Sequence, residues 1–493
     1  MFKKFVVVAS GLAFLCESVT AQDAKTVIAN AQKALGDLKS ITYSGSAKDV
    51  AFQQCGANST EMICKGTHDP MRPINNYVRV IDLTAPASRH TGATNNIGPG
   101  GSTALTPGTF FQQVTPQQAD VSQPWANSLE FYITPWGFLK GAADNNATAS
   151  RRKVEGKSYT VLTWSPKVTA PSGKNYVING YVDEHNLVDR VETWLGENIM
   201  GDMHILATYT GWKDFGGVMA PSKIVQTRGG WPFFEVDVTA AKANPPDVAK
   251  LVPAPAPGAG RGGPGGGGAP GGAPALTVTS EKLGDGLYRL TTGPGSYDSV
   301  IVEFKDYIMM LEAGQSEARA LAYIAETKKL IPNKPIRYVM NTHPHSDHTG
   351  GLPAMVAEGA IIVTQKNNEE FLSKALNTPR TLLNDTLAKN PKKAKVEAVS
   401  EKKVFSDGTR IVEIYHVAPV PHSNGLMIAY IPKEKVLFQG DFSVIPGEPA
   451  NDHVKALVPI LEKLNLDFDR YINVHASAAP QTKADVWKAD GKL

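Results

Sequence analysis

His343-Pro344-His345-Ser346-Asp347-His348 places four side chains of metal-ligand type in six positions. The flanks supply the structural setting. Residues 335–341 (PIRYVMN) read as a buried strand, and residues 352–358, with Pro353 in the first turn, read as a helix. The histidines therefore sit on the loop that leaves a strand, where α/β proteins place their sites. Pro344 restricts His343 to extended backbone. In an extended chain, residues two apart point the same way, so His343 and His345 can grip one ion. Asp347 continues that alternation, and a turn after it lets His348 approach, so one loop can serve two neighbouring ions. Imidazole and carboxylate donors without thiolate suit zinc, and also iron or manganese.

With this loop, the stretch from Leu276 to about Ala476 resembles the metallo-β-lactamase superfamily. The family's H-x-H-x-D-H stands here as His343, His345, Asp347 and His348. The resemblance continues at His422 in VPHSNG (420–425), at Asp441 in VLFQGD (436–441) and at His475 in YINVH (471–475). It implies one metal ion held by His343, His345 and His422, and a second held by Asp347, His348 and His475. Asp441 and a hydroxide would bridge them. It also implies an αββα sandwich, and the patterning agrees. Residues 300–304 and 307–311 read as paired strands, 316–330 as an amphipathic helix, and 411–417, 426–431 and 436–438 as further strands. Ala476 and Ser477 stand where the family commonly has glycine. No cysteine follows Cys64, which excludes the lactamase branch with a cysteine ligand. Asp441 looks like the thioesterase, lactonase and phosphodiesterase branches, and a lactamase branch with an all-His/Asp shell stays open. His416, inside a strand, and His453, opening a helix, are read as structural or as neighbours of ligands, because the residues above already fill a two-ion site.

The chemistry follows from the site. A bound ion lowers the pKa of water to about 7, so hydroxide is available at neutral pH. It would attack an acyl or phosphoryl centre, with Asp347 as the catalytic residue that orients it or relays its proton. The expected activity is hydrolysis of an ester, lactone, thioester or amide, a β-lactam included. Phosphodiester cleavage and iron-dependent sulfur dioxygenation are alternatives on the same fold. A non-catalytic envelope-binding protein is a third class. The complete ligand set argues against it, since structural metal sites are usually closed and rich in cysteine.

The rest of the chain gives this half its setting. Of 493 residues, 42% are apolar and 20% charged, which excludes a wholly disordered chain and a multi-span membrane protein. Lys and Arg number 50 against 47 Asp and Glu. So even a balance gives no electrostatic case for nucleic acid as a partner, and a small-molecule substrate is expected. Residues 1–21 (MFKKFVVVASGLAFLCESVTA) have the layout of a signal peptide: a basic start, an apolar stretch too short to span a bilayer, and small residues before the cut. The expected location is therefore periplasmic or secreted. Cys55 and Cys64 can close a disulfide there, or stand as free thiols. Residues 253–275 (PAPAPGAGRGGPGGGGAPGGAPA) hold nothing that could anchor a core and read as an exposed linker. The expected organisation is a leader over 1–21, a β-rich domain over 22–250, a linker over 251–275 and a hydrolase domain over 276–493, an α+β fold overall. The halves are expected to fold separately.

The N-terminal half reads as a helix over 24–38 followed by an antiparallel meander, with 94–123 as a long loop. In layout it is similar to the half-barrel of periplasmic lipoprotein carriers, which implies contact with an apolar ligand or the envelope. His90, His185 and His204 stand apart from one another and are read as ordinary polar positions.

Overall fold

A computed structural model describes residues 23–49, 71–95, 105–112, 124–252, 276–293, 297–445, 448–475 and 479–492. The readings of the leader, of Cys55 and Cys64 and of the linker lie outside the described residues. Among those described, no helix is long and apolar enough to cross a membrane.

The N-terminal half is built on an eleven-stranded antiparallel sheet. Its first strand, Ser40–Asp49, lies between Arg72–Asp82 and the last strand, Trp231–Ala243. The leading helix, Ala24–Leu35, buries Val27, Ile28, Ala31 and Leu35, the face its spacing predicts. It stops short of the expected residue 38 because the chain turns left-handed at Gly36. The expected loop over 94–123 is corrected in part: Leu105–Gln112 is a strand and pairs with Ala87–Asn95. Two helices that the patterning did not reveal, Pro124–Tyr132 and Pro135–Asp144, accompany the meander. They bury Trp125, Phe131 and Phe138 in the core that the sheet encloses. Each such side chain contributes about 1.5–3 kcal/mol on burial, so these helices are integral to the half. Trp125 keeps its indole N–H satisfied by donating to Thr193 Oγ1 at 3.2 Å.

The C-terminal half is a sandwich of a seven-stranded and a five-stranded sheet. Val300, Val302, Met309, Leu311 and Met340 of one sheet pack against Val412, Ile414, Met427, Ala429 and Phe438 of the other. Helices Glu317–Leu330 and Leu352–Glu358 cover the first sheet, and Asp452–Leu464 and Lys483–Ala489 the second. This is the expected αββα arrangement. The strand ahead of the histidines, Ile336–Met340, runs parallel between Ile308–Leu311 and Ile361–Gln365. Its Ile336, Val339 and Met340 are buried while Arg337 stays exposed, and the polar residues of the site follow at its carboxyl end.

The halves also meet, away from the linker. The turn joining strands Val188–Glu197 and Gly201–Asp214 lies against residues 379–382. The Asp202 carboxylate accepts from the Thr381 and Leu382 backbone N–H groups at 2.9 and 2.8 Å. Lys374 Nζ donates to Gly229 O at 3.0 Å, and the Trp231 and Phe371 rings meet edge-on. A linker-based reading of two separate halves did not anticipate this contact.

Candidate metal centre

Four loops bring the site together, all at the carboxyl ends of strands. The first leaves Ile336–Met340 and carries His343, His345, Asp347 and His348. The others carry His422, Asp441 after Val436–Gln439, and His475 after Arg470–Asn473. Asn341 closes the first loop on itself, its Nδ2 donating to the carbonyls of His343 at 2.8 Å and His348 at 3.2 Å. One detail of the sequence reading is corrected here. The extended alternation ends at His345, and Ser346–Thr349 is a single helical turn. Asp347 and His348 therefore approach from successive positions of a helix, roughly 100° apart, rather than from extended chain.

The donors fall into two groups: His343, His345, His422 and Asp441, then Asp347, His348 and His475, with the ligand atoms of each within 4.8 Å of one another. Asp441 faces both. Its Oδ2 lies 2.8 Å from His422 Nε2 and 3.6 Å from His343 Nε2. Its Oδ1 lies 2.9 Å from both His348 Nε2 and His475 Nε2. The Asp347 Oδ2 atom stands 3.5 Å from His348 Nε2 and 3.7 Å from His475 Nε2. Gly440, just before Asp441, has no room for a side chain that would not crowd His343: a Cβ there would sit 3.2 Å from His343 Nδ1 and 3.0 Å from Thr342 Oγ1.

The donor set fits metal ions. Both ring nitrogens of His345 are buried without a hydrogen-bond partner among the described residues. An orphaned imidazole is costly unless something takes its lone pair. His343 Nε2 and His422 Nε2 stand 3.0 Å apart and converge on the same space, which a cation between them would satisfy. Burial, with the charge of His422 beside it, pushes His345 down to about 3, and burial with the charge of His348 holds His343 well below the ordinary histidine value. Both are thus neutral, as ligands must be. Burial would also depress His348, but the carboxylates of Asp441 and Asp347 outweigh it and raise its pKa well above the usual value. Burial alone would raise Asp441, yet the imidazoles of His348, His343 and His422 hold it far below. The carboxylates of Asp441 and Asp347 thus make the surroundings of His348 a place that favours positive charge.

Two residues that sequence reasoning did not single out complete the centre. Glu312 is fully buried, and its carboxylate lies 3.1 Å from His348 Nδ1. An ionised carboxylate only accepts, so it holds the proton on Nδ1 and leaves Nε2 to face the site. Its other oxygen accepts from the Thr342 backbone N–H. Tyr297 donates its hydroxyl to Asp347 Oδ2 at 3.1 Å, and its ring packs on His475 with centroids 4.7 Å apart. Neither His416 nor His453 joins a donor group. His416 Nε2 meets Asn424 O at 2.9 Å, and the His453 ring lies beside His422 at 4.9 Å.

Residues 292–479 match the sequence profile of the Metallo-beta-lactamase superfamily. The C-terminal half carries the metallo-β-lactamase fold. Solved structures similar to it include a metallo-beta-lactamase from Pontibacter korlensis, at 17% identity and a TM-score of 0.32, covering 44% of this chain and 98% of that one. The DIM-1 metallo-beta-lactamase, at 15% identity and a TM-score of 0.34, covers 43% of this chain and 95% of its own. VMB-1, at 14% identity and a TM-score of 0.34, covers 44% and 96%. No curated protein matches the chain. The profile match confines what the family informs to residues 292–479, and that superfamily consists mostly of metal-dependent hydrolases.

The site is unevenly buried. His343 is fully enclosed, whereas Asp347 and His475 keep 27% and 35% of their side-chain surface. The centre is open to solvent on the Asp347–His475 side.

Proposed function

We propose that this protein is an exported, dinuclear-metal hydrolase, with zinc as the resident ion, that cleaves an ester, lactone, thioester or amide. The observation that carries the reading is the division of Asp441: one oxygen faces His422 and His343, the other His348 and His475. That is the arrangement a bridging carboxylate needs. His343, His345 and His422 would hold one ion, and Asp347, His348 and His475 the other. When bound, such ions supply Lewis acidity and a nucleophilic water at neutral pH.

The chain's own residues do the rest. Asp347 stands at the open edge with one oxygen held by the Tyr297 hydroxyl. It is the carboxylate placed to orient an attacking water and to take its proton. Glu312 fixes the ring plane and tautomer of His348. The buried wall formed by His343, His345 and His422 keeps bulk water from the closed side of the site. Export is supported by the layout of residues 1–21 and predicts a mature chain that begins at Gln22.

The test is a panel of ester, lactone, thioester and amide substrates, β-lactams among them, offered to the purified chain before and after chelation. Hydrolysis of one class, lost on chelation and restored by zinc, is expected. Hydrolysis indifferent to chelation, or none from the zinc-loaded protein on any class, would overturn the reading.

A further inference from the structure

The turn that carries Asp347 and His348 is held from both sides, and one of those sides belongs to the other half of the chain. Beneath the turn, Gly350 is packed against the backbone of Gln315, where a Cβ would come within 1.9 Å of Gln315 O. Next to it, Gly351 N donates to Gly314 O at 2.9 Å. These contacts leave the buried carbonyl of Gly350 to be satisfied. It lies past the last turn of Ser346–Thr349, where a helix has spare carbonyls. The helix that follows has Pro353 at its start, which has no N–H to give. The donor is instead Asn198 of the N-terminal half, whose Nδ2 reaches Gly350 O at 2.8 Å.

Asn198 is itself firmly placed. It sits in the turn between Val188–Glu197 and Gly201–Asp214. The Glu197 carboxylate accepts from the Ile199 and Met200 N–H groups at 2.9 and 2.7 Å, which shapes that turn. The Asn198 carbonyl accepts from Arg380 Nη2 at 2.6 Å, and Arg380 is paired with Asp385. Four residues on, Asp202 grips Thr381 and Leu382 as described above. The turn is thus clamped to the C-terminal half independently of the Asn198 side chain. That leaves the amide free to act on Gly350 alone.

We propose that Asn198 is a positioning residue of the metal centre, through which the N-terminal sheet fixes the turn that presents Asp347 and His348. The inference rests on the two-ion reading above. Asn198 touches neither ligand atoms nor substrate. Its effect passes through the Gly350 backbone to the donors two and three residues earlier, so it bears on the Asp347–His348–His475 group and leaves the other group alone.

The experiment is a metal titration of the full chain in three variants, with cobalt as the probe and its electronic spectrum as the readout, together with thermal melting of the metal-free proteins. Asn198→Asp keeps the shape and removes the donor, Asn198→Ala removes the contact, and Asn198→Gln keeps a donor on a longer arm. Asn198→Asp and Asn198→Ala are expected to weaken one of two cobalt equivalents by about 10-fold or more, the range for losing an outer partner of a ligand. The other equivalent and the metal-free melting temperature should stay as in the parent, with Asn198→Gln recovering part of the loss. Unchanged titrations in both Asn198→Asp and Asn198→Ala would overturn the proposal. So would loss of both equivalents with a matching fall in metal-free melting, since the contact would then serve the fold and not the turn. A parent chain that takes up no cobalt would instead overturn the two-ion reading, and this inference with it.

Discussion

Glu312 shows how much of the centre depends on residues that never face the substrate. It ends the apolar strand Ile308–Leu311 with a backbone φ of 66°, a conformation that non-glycine residues rarely adopt. The position is held because the carboxylate meets both Thr342 and His348. Replacing it by Gln keeps the size but offers the His348 Nδ1 proton a weaker acceptor. Glu312→Gln is therefore expected to weaken metal binding by about 10- to 100-fold with little loss of fold, measurable by competition with a chelator. The ligands themselves should be less forgiving. His345→Ala and Asp347→Ala are each expected to abolish hydrolysis, whereas His416→Ala and His453→Ala keep much of it. Should His453→Ala prove as damaging as His345→Ala, the division into ligands and neighbours drawn here is wrong. At this scale the sequence was legible where donors cluster at short spacing, as from His343 to His348. Glu312 had no such spacing. Its one trace was an acid closing a run of buried apolar residues, IMMLEAG over 308–314, which is an expensive place for an unpartnered carboxylate.

The strands of the N-terminal sheet carry their own electrostatics. Glu192, on Val188–Glu197, accepts from Asn179 Nδ2 at 3.0 Å and Tyr181 OH at 2.7 Å, and lies 3.0 Å from His204 Nε2. Burial alone would raise its pKa, but the bonds from His204, Tyr181 and Asn179 prevail and bring it from 4.5 to about 2. A carboxyl whose folded pKa is depressed stabilises the fold above its unfolded value and loses that contribution as pH falls through the folded one. The full chain should therefore lose stability between about pH 4.5 and pH 2 in part through this residue. Glu192→Gln should melt lower at pH 6 and show a shallower decline over that window. Parallel acid profiles of the two proteins would contradict the assignment. Elements with clean alternation, such as Val188–Glu197, were readable. The helices Pro124–Tyr132 and Pro135–Asp144 were not, because their aromatic-rich sequence lacks a clear helical stripe. Their starts did carry a signal: Thr134 caps the second helix by accepting from Gly137 N, with Pro135 at the first position.

For the whole molecule, the contact between the halves matters more than the linker between them. Composition could locate the joint, but it could not show that Asn198, Asp202 and Trp231 would find Gly350, Thr381 and Phe371, since such pairings arise only once both sheets are folded. Residues 276–493 expressed alone are expected to keep one ion firmly and the other weakly, and to melt below the full chain because Phe371 and Leu382 lose their cover. Supplying residues 22–250 in trans should restore part of both. A fragment with the full chain's metal affinity and melting temperature would mean that the interface is incidental to the centre. The central claim, that the seven donors form a two-ion site, is tested most directly by the metal content of the full chain after mild purification, read by elemental mass spectrometry. The account predicts two equivalents per chain, predominantly zinc. A reproducible value of one or fewer, unchanged by added metal, would contradict it.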